Sequence, residues 1–225
     1  MSPSSLARSV SLAVVCAAAM TTFGGCASNP VTGRPDLVFS SEKAEIDKAK
    51  QVHPLLLQQF GGPYEDMQLQ QYVNEVGQRT AKAGQRPELQ YYFTVLDSED
   101  INAFTTGGGY VYITRGIMNY LNSEAELAAV LGHEIGHINA RHPVRQQTQS
   151  TLSGIGAAAI GIFTGSGDIA GLANYAGAAL IHGYGRDNEL EADRLGAEYL
   201  QGTGLAPEHM IDYMEIGRAS CRERV

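Results

Sequence analysis

Cysteine is scarce in this chain, and the three present cannot build a disulfide framework. Cys16 falls in a leader-like stretch, Cys26 follows directly after it, and Cys221 stands alone near the end. A thiol-based zinc site is excluded for the same reason. Basic residues are few as well: 16 Lys and Arg against 24 Asp and Glu leave a formal charge of −8. That balance argues against nucleic acid as a partner and reads as a solvated acidic surface. Long hydrophobic runs are missing too. The apolar, Gly- and Ala-rich stretch from Leu152 to Thr164 is too short to span a bilayer. It reads as a buried helix or a mobile segment near the site. No internal repeat is visible, and the length suits one sizeable domain with a core of its own.

The first 26 residues do not read as part of that domain. Arg8 makes a thin positive region, Leu12 to Ala19 an apolar one, and Gly24-Gly25 are small residues at a cleavage position before Cys26. The pattern resembles a bacterial lipoprotein signal, in which the cysteine is lipidated and becomes the first mature residue. Phe23 stands where that motif prefers Leu, so a plain secretory signal is the other reading. Both place the protein outside the cytoplasm. Ala27 after the cysteine, in place of Asp, resembles outer-membrane sorting in Gram-negative bacteria.

The expected organisation is therefore a leader at 1–25, a polar Pro/Gly-bearing tether at 26–40, and a domain at 41–214. Residues 215–225 have no apolar period. They resemble an in-frame translation of a sequencing-library adapter and read as a non-native tail, with the natural domain continuing beyond.

Inside the domain, Ser40 or Ser41 caps a helix running to about Phe60, and Gly61-Gly62-Pro63 ends it. A second helix follows from Tyr64 to Ala83. The period then changes. Tyr91 to Leu96 is aromatic and β-branched, so a strand. Ile101 to Phe104 and Tyr110 to Thr114 flank Gly107-Gly108-Gly109 and read as a hairpin. Ser123 with Glu126 makes a capping box. The helix it opens carries Leu127, Leu131, Ile135 and Ile138 on a core face, and His133, Glu134, His137 and Arg141 on another. Ala129, Gly132, Gly136 and Ala140 form a small-residue stripe where a second helix could come close. Asp187 to Leu200 is the next helix, and Pro207 starts a last one. The fold expected is α+β: a mostly helical, zincin-like domain with a small β-sheet packed on the helix bearing the HExxH string.

That string, His133-Glu134-Ile135-Gly136-His137, is the chemical centre of the chain. Histidines four apart on a helix point the same way and can grip one metal ion. The glutamate between them can act as a general base toward water. Catalytic zinc needs a third protein ligand. The longer metzincin string would require glycine at position 140 and histidine at position 143, where Ala140 and Pro143 stand. His142 lies on a different face and reads as a structural hydrogen-bonding residue. A carboxylate remains. Glu189 and Asp193 share a helix face, so Glu189 binds the metal and Asp193 takes a hydrogen bond from the outer nitrogen of a ligand histidine. Glu191 points elsewhere and reads as solvated.

His133-Glu134-x-x-His137 with Asn188-Glu189-Leu190-Glu191-Ala192-Asp193 resembles peptidase family forty-eight. These are the gluzincins that include the CAAX prenyl endopeptidase, HtpX and Oma-type proteases. Asn102-Ala103-Phe104 and Gly108 through Gly116 look like that family's strand pair before the active helix, and Cys26 through Arg34 like the start of its periplasmic lipoprotein branch.

The resemblance implies a zinc metalloendopeptidase of the envelope, one Zn2+ per chain, acting in quality control of envelope proteins. Its substrates would be unfolded or misassembled envelope polypeptides, and lipidated Cys26 would hold it to the membrane. A substrate strand is expected on the edge around Ile101 to Thr114. His182, Tyr184, Arg186 and Asn102 are candidates to steady the oxyanion or touch substrate. A zinc-binding but non-proteolytic assembly factor for outer-membrane proteins is the other reading. The intact Glu134 argues against it, since a binding module needs no such base.

Overall fold

A computed structural model describes residues 26–152, 184–211 and 213–215. The leader, the apolar stretch up to Thr164 apart from its first residue, His182 and the suspected tail beyond 215 lie outside the described residues. No described helix is long and apolar enough to cross a membrane.

The segment expected as a tether begins with a folded hairpin. Strand β1 (Cys26–Ser28) pairs antiparallel with β2 (Pro35–Leu37). Asn29 shapes the turn: its Oδ1 accepts from the N–H groups of Val31 and Thr32 at 2.9 and 3.0 Å, and its Nδ2 donates to Asp36 at 2.8 Å. Such side-chain mimicry of a backbone turn is what Asn does best.

Helix α1 (Glu42–Gln59) starts at Ser41, whose Oγ accepts from the Ala44 N–H. Helix α2 (Met67–Lys82) starts three residues later than expected. Its cap is Asp66, which accepts from Gln68 and Leu69 N–H.

Strands β3 (Tyr92–Leu96), β4 (Ala103–Gly107) and β5 (Tyr110–Thr114) form one sheet in the order β3-β5-β4. The β4–β5 pair is the expected hairpin, while β3 runs parallel to β5. Its turn places Gly108 and Gly109 at φ +60° and +90°, the two positive values a tight hairpin turn needs. The register shifts between Thr105 and Gly107, a local bulge. Since β5 is central, β4 is the arm of this hairpin with no further strand beside it among the described residues.

A short helix α3 (Arg115–Met118) leads to α4 (Glu124–Asn139). Ser123 caps α4 by accepting from the Glu126 N–H at 3.1 Å, and Glu126 reaches back to the N–H of Asn122 at 2.7 Å. This is a capping box displaced by one residue. Both faces of α4 are buried, not only the one carrying Leu127, Leu131, Ile135 and Ile138. Those four join Val73, Val76, Val95, Ile113, Leu195 and Tyr199 in the main core.

Helix α5 (His142–Leu152) follows after Arg141, and α6 (Arg186–Gly202) comes later. The small-residue stripe of α4 faces α6: a β-carbon on Gly136 would lie 3.0 Å from the Ala192 carbonyl oxygen, and one on Gly132 3.3 Å from the Gly196 Cα. The result is the mostly helical α+β, zincin-like architecture the pattern called for.

Candidate metal centre

The close α4–α6 approach brings two local motifs into one place. On α4, His133 and His137 turn toward α6. On α6, Glu189 and Asp193 turn back. Glu189 Oε2 lies 3.4 Å from His133 Nε2 and 3.7 Å from His137 Nε2, and the two Nε2 atoms are 3.0 Å apart. These three groups are a set that could hold one metal ion. A tetrahedral zinc with bonds near 2.1 Å puts its donors about 3.4 Å from one another. The observed spacings bracket that value.

The outer nitrogens explain why the inner ones face each other. His133 Nδ1 is 2.9 Å from Asp193 Oδ1. A carboxylate only accepts, so His133 Nδ1 carries hydrogen. His137 Nδ1 is 2.8 Å from His142 Nδ1. Two Nε2 lone pairs 3.0 Å apart would repel, so the contact calls for hydrogen on one of them or a metal ion between them. Burial opposes a charge on His133, yet Asp193 and Glu189 outweigh it and lift its pKa to about 10. Burial pushes His137 down to about 3, and the charge on His133 adds to that. Burial would also raise Glu189, but the two histidines hold it well below the usual carboxylate range. The donor set is thus anionic and paired with a single positive charge. Two imidazoles and a carboxylate are the chemistry zinc takes in catalytic sites.

Glu134 is 4% exposed. Burial raises its carboxyl to about 7; His133 opposes that rise and the Glu189 charge adds to it. A carboxylate poised there suits a general base at neutral pH.

The other expected residues separate. The Tyr184 ring lies 4.1 Å from that of His137, centroid to centroid, and its backbone N–H donates to Glu189 Oε1 at 2.9 Å. That bond takes one carboxylate oxygen and leaves the other to the histidines. Its phenol donates to the Thr105 carbonyl on β4 at 3.4 Å. Tyr184 is therefore placed to orient Glu189 and to touch β4. Arg186 is exposed. Asn102 is tied to Thr114 through its backbone. Among the described residues, no hydrogen bond or ring contact joins either one to the metal residues.

Glu191 corrects the expectation of a solvated side chain. It accepts from His142 Nε2 at 3.1 Å and sits 3.5 Å from Arg145 Nη1. It points away from the metal, as helical spacing requires, but α5 covers that face. His142 does make a hydrogen bond on that face, to Glu191. Tyr213 was not foreseen. Its ring lies 5.1 Å from that of His133. Burial raises its phenol well above the usual value, with Glu134, Glu189 and Asp193 adding to the rise, so it stays a donor. Its spacing of three from core residue Met210 was the available signal.

The family model described as peptidase family M48 matches residues 67–221. The beta-barrel assembly-enhancing protease of Yersinia pestis is 32% identical over 159 residues, covering 67% of this chain and 33% of that protein. The metalloprotease YcaL of Escherichia coli is 30% identical over 128 residues, 55% of this chain and 49% of that one. The mitochondrial metalloendopeptidase OMA1 of Arabidopsis thaliana is 29% identical over 120 residues, 53% and 24%. The chain spans about a third of the length of the assembly-enhancing proteases it matches. With the family model covering more than half of its residues, the chain belongs to peptidase family M48.

Proposed function

We propose that this chain carries the catalytic domain of a zinc-dependent metalloendopeptidase of the bacterial cell envelope. The observation that carries the reading is the convergence of His133, His137 and Glu189 beside a buried Glu134. In this reading His133 Nε2, His137 Nε2 and Glu189 Oε2 hold zinc. Bound there, zinc supplies a Lewis acid and a water that is nucleophilic near neutral pH. Glu134 takes a proton from the attacking water and returns it to the leaving amine. Asp193 keeps hydrogen on the outer nitrogen of His133, which leaves Nε2 free as a donor atom. The side of β4 away from β5 offers main-chain hydrogen bonds to an extended substrate, which tolerates many sequences.

Substrates of that kind are unfolded or unassembled envelope polypeptides. The likeness to beta-barrel assembly-enhancing proteases supports this choice. Lipidation of Cys26 would anchor the domain to the outer membrane from the periplasmic side. The test is cleavage of unfolded outer-membrane protein and casein by the purified chain. Activity should vanish with chelator, return with zinc, and be absent from Glu134→Gln at full zinc occupancy. Equal cleavage by Glu134→Gln would reject the assignment of the base.

A further inference from the structure

The two proposed metal histidines are held from behind in different ways. His133 has a carboxylate, Asp193, at 2.9 Å. His137 has another imidazole, His142, at 2.8 Å. A pair of imidazole nitrogens forms a hydrogen bond only if one donates and the other accepts, and nothing in that contact alone says which.

The next contact decides it. His142 Nε2 is 3.1 Å from Glu191 Oε2. The carboxylate accepts, so His142 carries its hydrogen on Nε2. In the neutral ring Nδ1 is then a lone pair, and it accepts from His137 Nδ1–H. That leaves the lone pair of His137 on Nε2, facing Glu189 and His133. The opposite polarity needs a doubly protonated His142. Arg145 already lies 3.5 Å from the same Glu191 oxygen, so a second cation there would be repelled. His142 is also wholly buried, where an added charge is costly.

The arrangement is built rather than incidental. Arg141 adopts a left-handed backbone conformation, φ +58°, which a non-glycine residue avoids unless held. Its guanidinium donates to the Ser40 carbonyl at 3.0 Å and lies 3.4 Å from Glu45. That reversal returns His142, the first residue of α5, to the back of His137 on α4. Glu191 comes from the face of α6 opposite its metal-facing side, and the Tyr184 ring covers both His137 and His142.

We propose that His142 and Glu191 form a positioning pair that fixes His137 in the tautomer whose Nε2 binds the metal, as Asp193 does for His133. The inference rests on His137 being a metal ligand, and so on the function proposed above. It assigns a role to the second carboxylate of the Glu189-Leu190-Glu191 run and to the histidine that follows the HExxH helix.

Four variants of the full chain test it: His142→Leu, His142→Asn, Glu191→Ala and, as a control, Glu189→Ala. The readouts are zinc affinity by chelator competition, thermal midpoint of the metal-free protein, and the visible spectrum after cobalt substitution. Asn carries an acceptor near the place of the imidazole Nδ1, whereas Leu carries none. His142→Leu should weaken zinc binding about 10–100-fold and alter the cobalt spectrum. His142→Asn should recover most of that affinity and the parent spectrum. Glu191→Ala should fall between the two.

If His142→Leu and His142→Asn bind zinc alike, or if the metal-free midpoint falls while zinc affinity holds, the pair is structural and the proposal is overturned. Should His142→Leu fail to fold, parent affinity in Glu191→Ala overturns it equally. Parent zinc affinity in Glu189→Ala would instead mark failure of the metal-site reading itself.

Discussion

Gly196 on α6 backs onto Gly132 on α4 so closely that a β-carbon at Gly132 would sit 3.3 Å from the Gly196 Cα and 3.4 Å from its carbonyl oxygen. This contact sets the distance between the helix carrying both histidines and the helix carrying Glu189 and Asp193. Two substitutions separate its parts. Gly132→Ala adds one methyl 3.3 Å from backbone of α6, a cost that the gain of about 1 kcal/mol of helix propensity opposes, so its net effect should be small. Gly132→Val adds branches that must push α6 away, at about 1–3 kcal/mol of overpacking, and should weaken zinc binding as well. Denaturant unfolding and zinc competition on both variants check this. Unchanged zinc affinity in a destabilised Gly132→Val would disconnect the helix spacing from the metal centre.

Glu189 and Asp193 should differ in what their loss costs. Asp193→Ala leaves all three donor atoms and removes only the acceptor behind His133. Its zinc affinity should fall about 10–100-fold. Glu189→Ala removes a donor atom and should fall further. Chelator competition gives both constants. An order reversed from this would exchange the roles given to the two carboxylates.

Much of the site was legible because its parts are local. His133 and His137 are one helical turn apart, and so are Glu189 and Asp193; the stripe of Gly132 and Gly136 announced the close neighbour that joins them. What escaped depends on contacts distant in sequence. Glu191 sits two residues from Glu189, so helical spacing turned it from the metal and suggested solvent. Only the reversal at Arg141, held by Glu45 from α1, brings His142 and Arg145 over it. The parallel pairing of β3 with β5 was equally hidden, since nothing local distinguishes a parallel neighbour from an antiparallel one. Tyr213 reaches His133 through the packing of the last helical stretch, which spacing alone ties to the core and not to the metal.

Lys48 supplies a pH dependence away from the metal. Its ammonium nitrogen is closed off from solvent, and burial lowers its pKa from 10.5 to about 7. Between pH 7 and 10.5 the unfolded chain holds a proton there that the folded chain has released. The unfolded state binds more protons, so this residue's contribution to stability rises with pH, by at most about 1.4 kcal/mol per pH unit. Its full contribution is present above the unfolded value and is lost as pH falls to about 7. Lys48→Met removes the penalty. The variant should exceed the parent in stability at pH 7, and that advantage should shrink at pH 8 and again at pH 9. Urea unfolding of both proteins at the three values measures it, and a difference constant with pH would contradict it.

Glu45 holds the scaffold on the other side of the sheet turn. It is almost wholly buried, lies 3.3 Å from Arg86 and 3.4 Å from Arg141, and accepts the Gly108 N–H at 3.0 Å. Arg86 in turn donates to the Ile138 carbonyl near the end of α4 at 3.1 Å. One carboxylate therefore joins α1, the hairpin turn and the reversal after α4. Removing it with Glu45→Ala leaves two buried guanidinium groups short of a counter-charge, which costs about 3–5 kcal/mol. Glu45→Gln keeps an acceptor for Gly108 and should lose less. Because the reversal at Arg141 places His142, the destabilised Glu45→Ala should also bind zinc more weakly than Glu45→Gln. Equilibrium unfolding of the metal-free proteins gives the first comparison and chelator competition the second. Equal zinc affinity in both would separate the Glu45 cluster from the metal centre and leave it a purely structural tie.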